Sequence, residues 1–365
     1  MKIIKVETKK QFNQFLDFPN HLYKNNPFYV APLRLNLKKL FSPKNPIWEH
    51  AEFTLFLAFK ENKLVGRIAA FYFEKNERNN TGYFGFFDSI NNINVAKELL
   101  NNVRYTLKKK SCVTLLGPLN PNTNYELGVL IKGFDLSPYF MMNYNYNYYS
   151  ELLLNLGGKQ AMNFNAYKQS CDFHSDKIIR VSNFIKNKYK VEIQDIDFKN
   201  FNSEAEKLVE IYNDAFKNHW GFIPFSTSEF LMVANDMKLI MDKKLIFKVL
   251  VNNELAGFIL ALPNLNEVLA KIKNGKLSIF NLIKFLFLKR KIKWVKVTVA
   301  AIAHKYQHLG LGSVLYLEMN NRVKQIGYLG AEVSWVAENN IPMNKAVNEM
   351  GGIHTKSYTV YQFSF

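Results

Sequence analysis

The sequence has few cysteines and no recognisable metal-binding spacing. Its 365 residues include two cysteines, Cys112 and Cys171, and seven histidines. Two cysteines cannot form a disulfide framework, so we expect a reducing compartment. No H-x-H, H-E-x-x-H or C-x-x-C pattern occurs, and we therefore expect no metal site.

Long apolar runs are also lacking. No stretch reaches the roughly 20 apolar residues that are needed to span a bilayer. The first residues, Met1-Lys2-Ile3-Ile4-Lys5, lack the continuous apolar core of a signal peptide. We therefore expect a cytoplasmic protein.

Acidic residues are scarce relative to basic ones. The chain has 48 Lys and Arg against 30 Asp and Glu, a net charge of +18. Such an excess attracts nucleic acid, anionic lipid or a phosphorylated cofactor. No helix-turn-helix, aromatic RNA-binding run or zinc-finger spacing accompanies it, so we expect no specific nucleic-acid binding. A solvated, lysine-rich surface is the simpler interpretation, because the lysines are spread from Lys2 to Lys356.

What is present is a packed chain that repeats itself. Hydrophobic residues make up 48% of it, and 365 residues suffice for two cores. Residues 53–70 and 245–261 both alternate around a polar turn, which indicates two β-hairpins. Gly66 aligns with Gly257 and Gly157 with Gly351 at nearly equal spacings. These anchors predict a duplicated domain of about half the chain.

The most informative segment lies near the C-terminus. An apolar run at 295–303 is followed by a turn with Gln307, Gly310 and Gly312, and then by an apolar-periodic helix from residue 314. A strand that enters a helix through glycines leaves N–H groups free to bind phosphate. The pattern is not a dinucleotide fingerprint, since Leu315 stands where the third glycine would be, and no G-K-[ST] follows.

The residues after this segment extend the pattern. A buried strand is predicted at 331–337, followed by a helix that Asn340 caps and that ends at Gly351-Gly352. Residues 357–365 alternate and predict a closing strand. The order Gln-x-x-Gly-x-Gly, with Asn340 before Gly351, resembles the GNAT superfamily of N-acyltransferases.

The resemblance extends to nearly the whole chain. Residues 24–32, 117–121 and 263–267 and the pair Ser334-Trp335 resemble a tandem bacterial family of that superfamily, which includes bacterial ceramide synthases. It implies an α/β (α+β) fold with two tandem GNAT-like domains, each a mixed, mostly antiparallel sheet flanked by helices. We expect an N-terminal domain at 1–168 that is degenerate for coenzyme. A linker helix at 169–192 and a C-terminal domain with the acyl-CoA site at 193–365 follow.

The resemblance also assigns site residues. The implied coenzyme contacts are Ala301, Ile302, Ala303, Gln307, His308, Leu309, Gly310, Leu311, Gly312, Ser313 and Asn340. The catalytic candidates are Glu332 as base, Tyr361 as acid and His304, with Tyr358 as an alternative acid. Val347 occupies the position where the family often has a tyrosine that protonates the departing thiolate. Glu332 would otherwise be an exposed strand residue.

Three residues are candidates for substrate binding: Trp220, Glu126 and Trp335. Trp220 lies in an aromatic loop between two predicted helices, and a core position is its alternative role. Glu126 ends the polar loop 117–126, which is either a binding loop or a surface connection.

Residues 276–293 form an apolar and then strongly basic insertion without an acid. The composition suits an interfacial helix on anionic lipid. A helix buried against its neighbours is the alternative. The first interpretation places the protein peripherally at the inner face of the membrane.

Three functions remain open. The first is an acyl-CoA-dependent N-acyltransferase, using acetyl-CoA or another acyl-CoA, in which a small-molecule or lipid-like amine attacks directly. The second is a Fem-like aminoacyl-transferase. The third is a non-catalytic module that binds coenzyme or membrane.

Overall fold

The computed structural model describes residues 1–74, 80–173, 175–238, 240–272, 275 and 279–365. Among these residues the strands are β1 Lys2–Lys5, β2 Ala51–Lys60, β3 Lys63–Phe73, β4 Thr81–Ser89, β5 Thr114–Gly117, β6 Leu119–Asn120, β7 Glu126–Leu127, β8 Val129–Lys132, β9 Lys159–Ser170, β10 Val191–Asp195, β11 Ile246–Val251, β12 Glu254–Pro263, β13 Trp294–Ile302, β14 Gly330–Ala337 and β15 Ile353–Ser364.

The described helices are α1 Lys9–Leu22, α2 Arg34–Leu40, α3 Ile93–Lys108, α4 Tyr148–Asn155, α5 Asp176–Lys188, α6 Phe201–Phe216, α7 Thr227–Lys238, α8 Asn266–Leu269, α9 Ile279–Lys289, α10 Leu311–Ile326 and α11 Ile341–Glu349. Within the residues that the structure describes, none of these helices is long and apolar enough to cross a membrane.

One mixed sheet of thirteen strands runs through the molecule. Its main order is β1-β2-β3-β4-β5-β15-β9-β14-β13-β12-β11-β10, with β8 beside β15. The pairs β4–β5 and β13–β14 are parallel and the others antiparallel. The two ends of the sheet therefore repeat one arrangement, which confirms the predicted α/β fold of two GNAT-like units.

The two predicted hairpins have the same register. In β2–β3, Ala58 is paired with Gly66 and the register shifts at the next residue. In β11–β12, Val249 is paired with Gly257, and the register again shifts at the next residue. Both hairpins turn through two residues of positive φ, Glu61-Asn62 and Asn252-Asn253. A shared bulge and a shared turn are what a duplication preserves.

The two repeats exchange their last strands. The strand β9, which closes the first repeat, pairs with β14 of the second. The strand β15, which closes the second repeat, pairs with β5 of the first. β9 and β15 also pair with each other, from Ile353–Lys168 to Gln362–Lys159. Backbone hydrogen bonds therefore run through the middle of the sheet without interruption.

Two helices in equivalent positions form the cores of the repeats. α3 buries an apolar stripe against the first hairpin, and its largest members are Leu99, Leu100 and Leu107. α10 does the same beneath β13 and β14 with Leu311, Leu315 and Met319. The apolar side chains recur at helical spacing, so each helix has one face to bury.

Some predicted boundaries differ from the observed ones. The helix after the glycine turn begins at Leu311 rather than at 314, because residues His304–Leu309 already form a 3₁₀ helix. The closing strand begins at Ile353 rather than at 357. Loop 117–126 is not a surface connection, since Pro118, Leu119 and Asn122 are buried.

Candidate functional site

The parallel strands β13 and β14 separate halfway along their length. They pair from Trp294–Gly330 to Val297–Val333 and no further. β13 continues beside β12 as far as Ile302, while β14 continues beside β9. One edge of β13, over residues 298–302, therefore faces an opening in the sheet instead of a strand. Backbone donors and acceptors on such an edge can pair with an extended ligand.

The N-terminus of α10 lies at the end of this opening. Its capping residue is Gly310, with φ of 76°, and no side chain caps it. A Cβ atom on Gly312 would meet no atom within 4 Å. The helix dipole and free N–H groups favour an anion here. Packing does not require glycine at 312, so we interpret its bare backbone as room for a ligand.

Two predicted coenzyme residues, Gln307 and Asn340, and the predicted catalytic residue His304 form hydrogen bonds within the protein. Nε2 of Gln307 donates to the carbonyl oxygens of Ala215 and Ile302, both at 3.1 Å. The backbone N–H of His304 donates to Asp214 Oδ2 at 2.6 Å. Asn340 caps α11 by accepting from Met343 N–H at 3.2 Å. The contacts of Gln307 and His304 fix the turn between β13 and α10, and so they position its N–H groups.

The first repeat has the same separation of strands, but protein fills it. β4 and β5 pair only as far as Tyr83–Leu116. A Cβ atom on Gly85 would clash with the carbonyl oxygen of Leu119, and Phe86 N–H donates to Asn120 Oδ1 at 2.6 Å. The helix α3 is capped by Asn92, which accepts from two N–H groups. The degeneracy of the first repeat for coenzyme stays a prediction, and this arrangement supports it.

Two adjoining cavities lie between the repeats. The outer chamber, of about 260 Å³, reaches the surface at the ion pair of Lys39 and Asp236. The inner chamber, of about 140 Å³, ends at Thr298, Val299 and Trp335 beside the opening in the sheet. Both chambers are largely apolar, and the residues that line both are Asn124, Tyr125, Met141, Val233 and Met237.

The outer chamber contains a candidate proton acceptor. Glu126 lines the outer chamber, and its Oε2 accepts from Asn120 Nδ2 at 3.2 Å. Burial raises the pKa of Glu126, which the charges of Lys296 and Arg67 partly oppose. A carboxylate whose pKa is raised is a stronger base than an ordinary one, which suits a proton acceptor.

The inner chamber contains a buried lysine. Nζ of Lys296 donates to the carbonyl oxygen of Met141 at 3.2 Å and lies 5.3 Å from the ring centroid of Trp335. Burial lowers the pKa of Lys296 to about 8, against the opposing charges of Glu332 and Glu126. Sequence reasoning missed this residue. The signal was a lone lysine in the middle of a buried strand.

Glu332 is fully buried, so the alternative interpretation of an exposed strand residue is wrong. Its Oε1 accepts from Ser334 Oγ at 3.1 Å, and its Oε2 lies 3.7 Å from Lys356 Nζ. Burial raises the pKa of Glu332, opposed by Lys356 and Lys296. Glu332 does not line either chamber. The role of Glu332 as a base stays a prediction.

The innermost part of the outer chamber carries a buried ion pair that sequence reasoning also missed. Arg67 Nε donates to Asp88 Oδ2 at 2.7 Å, and Tyr23 donates to Asp88 Oδ1 at 2.9 Å. Arg67 also donates to the carbonyl oxygen of Phe15. Because its charges are paired, this cluster acts as a rigid polar floor.

Other predicted site residues lie outside the chambers. The hydroxyl of Tyr361 is 2.6 Å from Ser150 Oγ in the core of the first repeat. Tyr358 donates to the carbonyl oxygen of Asn143. Trp220 packs on Phe164, with ring centroids 5.9 Å apart. Val347 is completely buried in the core of the second repeat.

No model of a known protein family matches the chain. The chain is 29% identical to a bacterial ceramide synthase of Caulobacter vibrioides, over 99% of this chain and 97% of the relative. It is 28% identical to the protein YghO of Escherichia coli, over 97% of this chain and 93% of the relative.

Solved structures of similar fold include a tandem GNAT protein from the clavulanic acid biosynthesis pathway. Its TM-score is 0.57 at 9% identity, covering 100% of this chain and 98% of that one. Another is the glucosamine N-acetyltransferase region of a fungal multi-domain β-N-acetylglucosaminidase. Its TM-score is 0.61 at 14% identity, covering 99% of this chain and 38% of that one.

Proposed function

The chain has the tandem GNAT fold, and on this basis we propose that it is an acyl-CoA-dependent N-acyltransferase whose acceptor is an amphiphilic amine. The observation that carries the proposal is the unpaired edge of β13 at 298–302. Thr298 and Val299 on this strand line the inner chamber, and the strand leads through a short turn to the uncapped N-terminus of α10. An acyl-CoA needs the helix N-terminus for its pyrophosphate and the unpaired strand edge for its extended pantetheine arm.

The residues for the donor follow from this arrangement. The N–H groups at 310–312 would bind the pyrophosphate, and the free edge at 298–302 would pair with the pantetheine arm. The bare backbone of Gly312 leaves space for close approach. The thioester would then lie near Thr298 and Trp335, which line the inner chamber.

The outer chamber supports an acceptor with an apolar chain. Most of its lining is apolar, and Glu126 is among its polar lining residues. An amine presented there would lose its proton to Glu126 and attack the thioester carbonyl, so that a C–N bond forms and the C–S bond breaks. The relative named as a ceramide synthase suggests a long-chain amino alcohol as a first test acceptor.

Lys296 is our candidate for protonating the departing thiolate. It shares the inner chamber with Trp335, and its pKa near 8 is close to that of a thiol. The previously expected acid, Tyr361, has its hydroxyl bonded to Ser150. The proposed direction of proton flow is therefore from the amine to Glu126, and from Lys296 to sulfur.

Two measurements on the full chain test the proposal. Calorimetry with acetyl-CoA and with longer acyl-CoAs measures donor binding. The variant Gly312→Glu places a negative charge at the N-terminus of α10, where the pyrophosphate would bind. Mass spectrometry then looks for an amide after incubation with a long-chain amino alcohol. Absence of binding to every acyl-CoA overturns the donor assignment. Binding without an amide from any amine supports a non-catalytic module.

A further inference from the structure

The helix α9 presents an uncovered apolar face. The side chains of Leu282, Ile283, Leu286 and Phe287 are exposed by 45%, 63%, 58% and 66%. They lie on one side of the helix, because positions i, i+1, i+4 and i+5 share a face. Large exposed apolar patches of this kind mark interaction sites.

The opposite face of the same helix is firmly packed. Phe285 is buried in a core cluster with Val30, Leu269 and Ile272, and Leu288 packs against that cluster. Lys284 Nζ donates to the carbonyl oxygen of Lys271 at 2.8 Å. The exposed face therefore belongs to a docked helix whose orientation is fixed by the core.

Positive charge lies beside the C-terminal end of this face. Residues 276–293 contain six lysines and arginines and no acid. Arg290, Lys291 and Lys293 are exposed just beyond the last turn of α9, and Lys291 Nζ lies 5.1 Å from the ring centroid of Phe287. Residues 276–278 of the predicted interfacial segment lie outside the described residues.

The helix also lies beside the outer chamber. α9 packs on α8, whose residues Asn266 and Leu269 line that chamber. Gly275, in the segment before α9, lies against the carbonyl oxygen of Pro32, another lining residue. A surface that touches α9 is consequently close to the chamber.

We infer that α9 docks the protein on an anionic bilayer surface, with Leu286 and Phe287 entering the interface and the cations beside them facing lipid phosphates. Apolar side chains flanked by lysine and arginine are the composition of interfacial helices. A second copy of this chain is a poorer occupant, since the two cationic surfaces would repel each other. Delivery of a lipid-like amine into the outer chamber rests on the proposed function, whereas the docking itself does not.

Vesicle co-sedimentation of the full chain tests the inference. Vesicles of phosphatidylcholine with about one third phosphatidylglycerol should bind it, and pure phosphatidylcholine should bind it much less. The double variant Leu286→Glu/Phe287→Glu should lose about tenfold or more of its partitioning to the anionic vesicles, because two apolar anchors become like-charged with the lipid. Raised salt should weaken the binding of the wild-type chain.

Tyr105→Glu is the matched control. Tyr105 is also 66% exposed on a helix, and Lys109 Nζ lies 4.4 Å from its ring centroid. The control should bind vesicles like the wild type. A second variant, Leu286→Ser/Phe287→Ser, separates lost apolar anchoring from added negative charge. Circular dichroism and acyl-CoA calorimetry of each variant check folding and the donor site independently.

Three results overturn the inference. One is equal loss of binding in Tyr105→Glu, which would mean adsorption by net charge alone. Another is unchanged binding in both α9 variants. The third is a wild-type dimer that the α9 variants convert to a monomer in analytical ultracentrifugation, which would make this face a contact between copies.

Discussion

Lys296 and Glu332 lie opposite each other on the parallel strands β13 and β14, one residue before those strands separate. Both side chains are buried, and each opposes the pKa shift that burial imposes on the other. Lys356 lies on the far side of Glu332. The opening in the sheet thus begins at a buried, partly compensated charge pair.

The Lys296–Glu332 pair should show strong coupling in stability. We expect Lys296→Met to lower the free energy of unfolding by about 2–4 kcal/mol, since it removes one of the two cations that compensate Glu332. Adding Glu332→Gln should cost much less in that background than in the wild type. Urea unfolding of the two single variants and the double variant measures the coupling. Additive losses would contradict it.

The pH dependence of turnover should report Lys296. An ammonium with a pKa near 8 donates its proton below that pH and has lost it above. We therefore expect kcat to fall as the pH rises through about 8. Lys296→Met should remove most of the rate, and this limb of the pH profile should be absent from the activity that remains. Lys248→Met is the control, because Lys248 pairs with Glu204 in the same repeat but lines neither chamber. A limb that survives in Lys296→Met would exclude Lys296 as the acid.

The two ends of α10 should separate coenzyme binding from stability. Gly312 has open space around it, so Gly312→Ala should leave the fold intact, or stabilise it by up to about 1 kcal/mol, and weaken acyl-CoA binding. Gly327 at the other end has φ of 99°, so Gly327→Ala should destabilise the fold by about 1 kcal/mol or more and leave binding unchanged. Calorimetry and urea unfolding give the two readouts. The reverse pattern would remove α10 from the donor site.

Glu126 should affect chemistry more than donor binding. We expect Glu126→Gln to lower kcat about 10²–10⁴-fold, because the amide cannot accept the proton of the amine. The acyl-CoA dissociation constant should stay within a few-fold of that of the wild type. Single-turnover amide formation and calorimetry separate the two effects. Full activity in this variant would assign the proton to another acceptor.

Glu229 gives a test of stability against pH that is independent of catalysis. Its carboxyl accepts from Tyr125 at 3.0 Å, and burial raises its pKa from 4.5 to about 7. Between these two pH values the folded chain holds more proton than the unfolded chain, so stability falls as the pH rises from about 4.5 to 7. Glu229→Gln should therefore gain about 1–3 kcal/mol relative to wild type between pH 5 and pH 8.

Urea unfolding at the two pH values measures the Glu229 effect. Glu254→Gln is the control with the opposite sign, because hydrogen bonds from Lys305 and Tyr306 lower the pKa of the exposed Glu254. Its small stability difference should shrink as the pH falls. An equal gain in both variants would contradict burial as the cause.

Local patterns in the sequence predict the parts of the fold that depend on neighbours in the chain. The alternation around Gly66 and Gly257 predicts both hairpins, and Asn340 with Pro342 predicts the start of α11. The exchange of β9 and β15 is not predictable in this way. Both strands alternate similarly, and their partners are chosen by contacts far apart in sequence.

The candidate site likewise has parts that the sequence predicts and parts that it does not. The turn around Gly310 could be predicted from the sequence, because a glycine between a strand and a helix reflects the backbone conformation of the turn itself. The side chain of Gln307 stabilises the turn by donating to the carbonyl oxygen of Ala215. This role could not be predicted from the sequence, because Ala215 lies far away along the chain. The chambers form between the repeats, so Lys296 and Asp88 become site residues only when the two repeats come together.

The exchange of β9 and β15 also determines the order in which the sheet can form during synthesis. Residues 114–117 leave the ribosome long before residues 353–364, which are their neighbours in the finished sheet. Until then β5 has an open edge, and an open strand edge invites pairing with another chain. The first repeat therefore completes its sheet only after the second has been translated. A nascent chain arrested before β15 would therefore leave the edge of β5 unpaired.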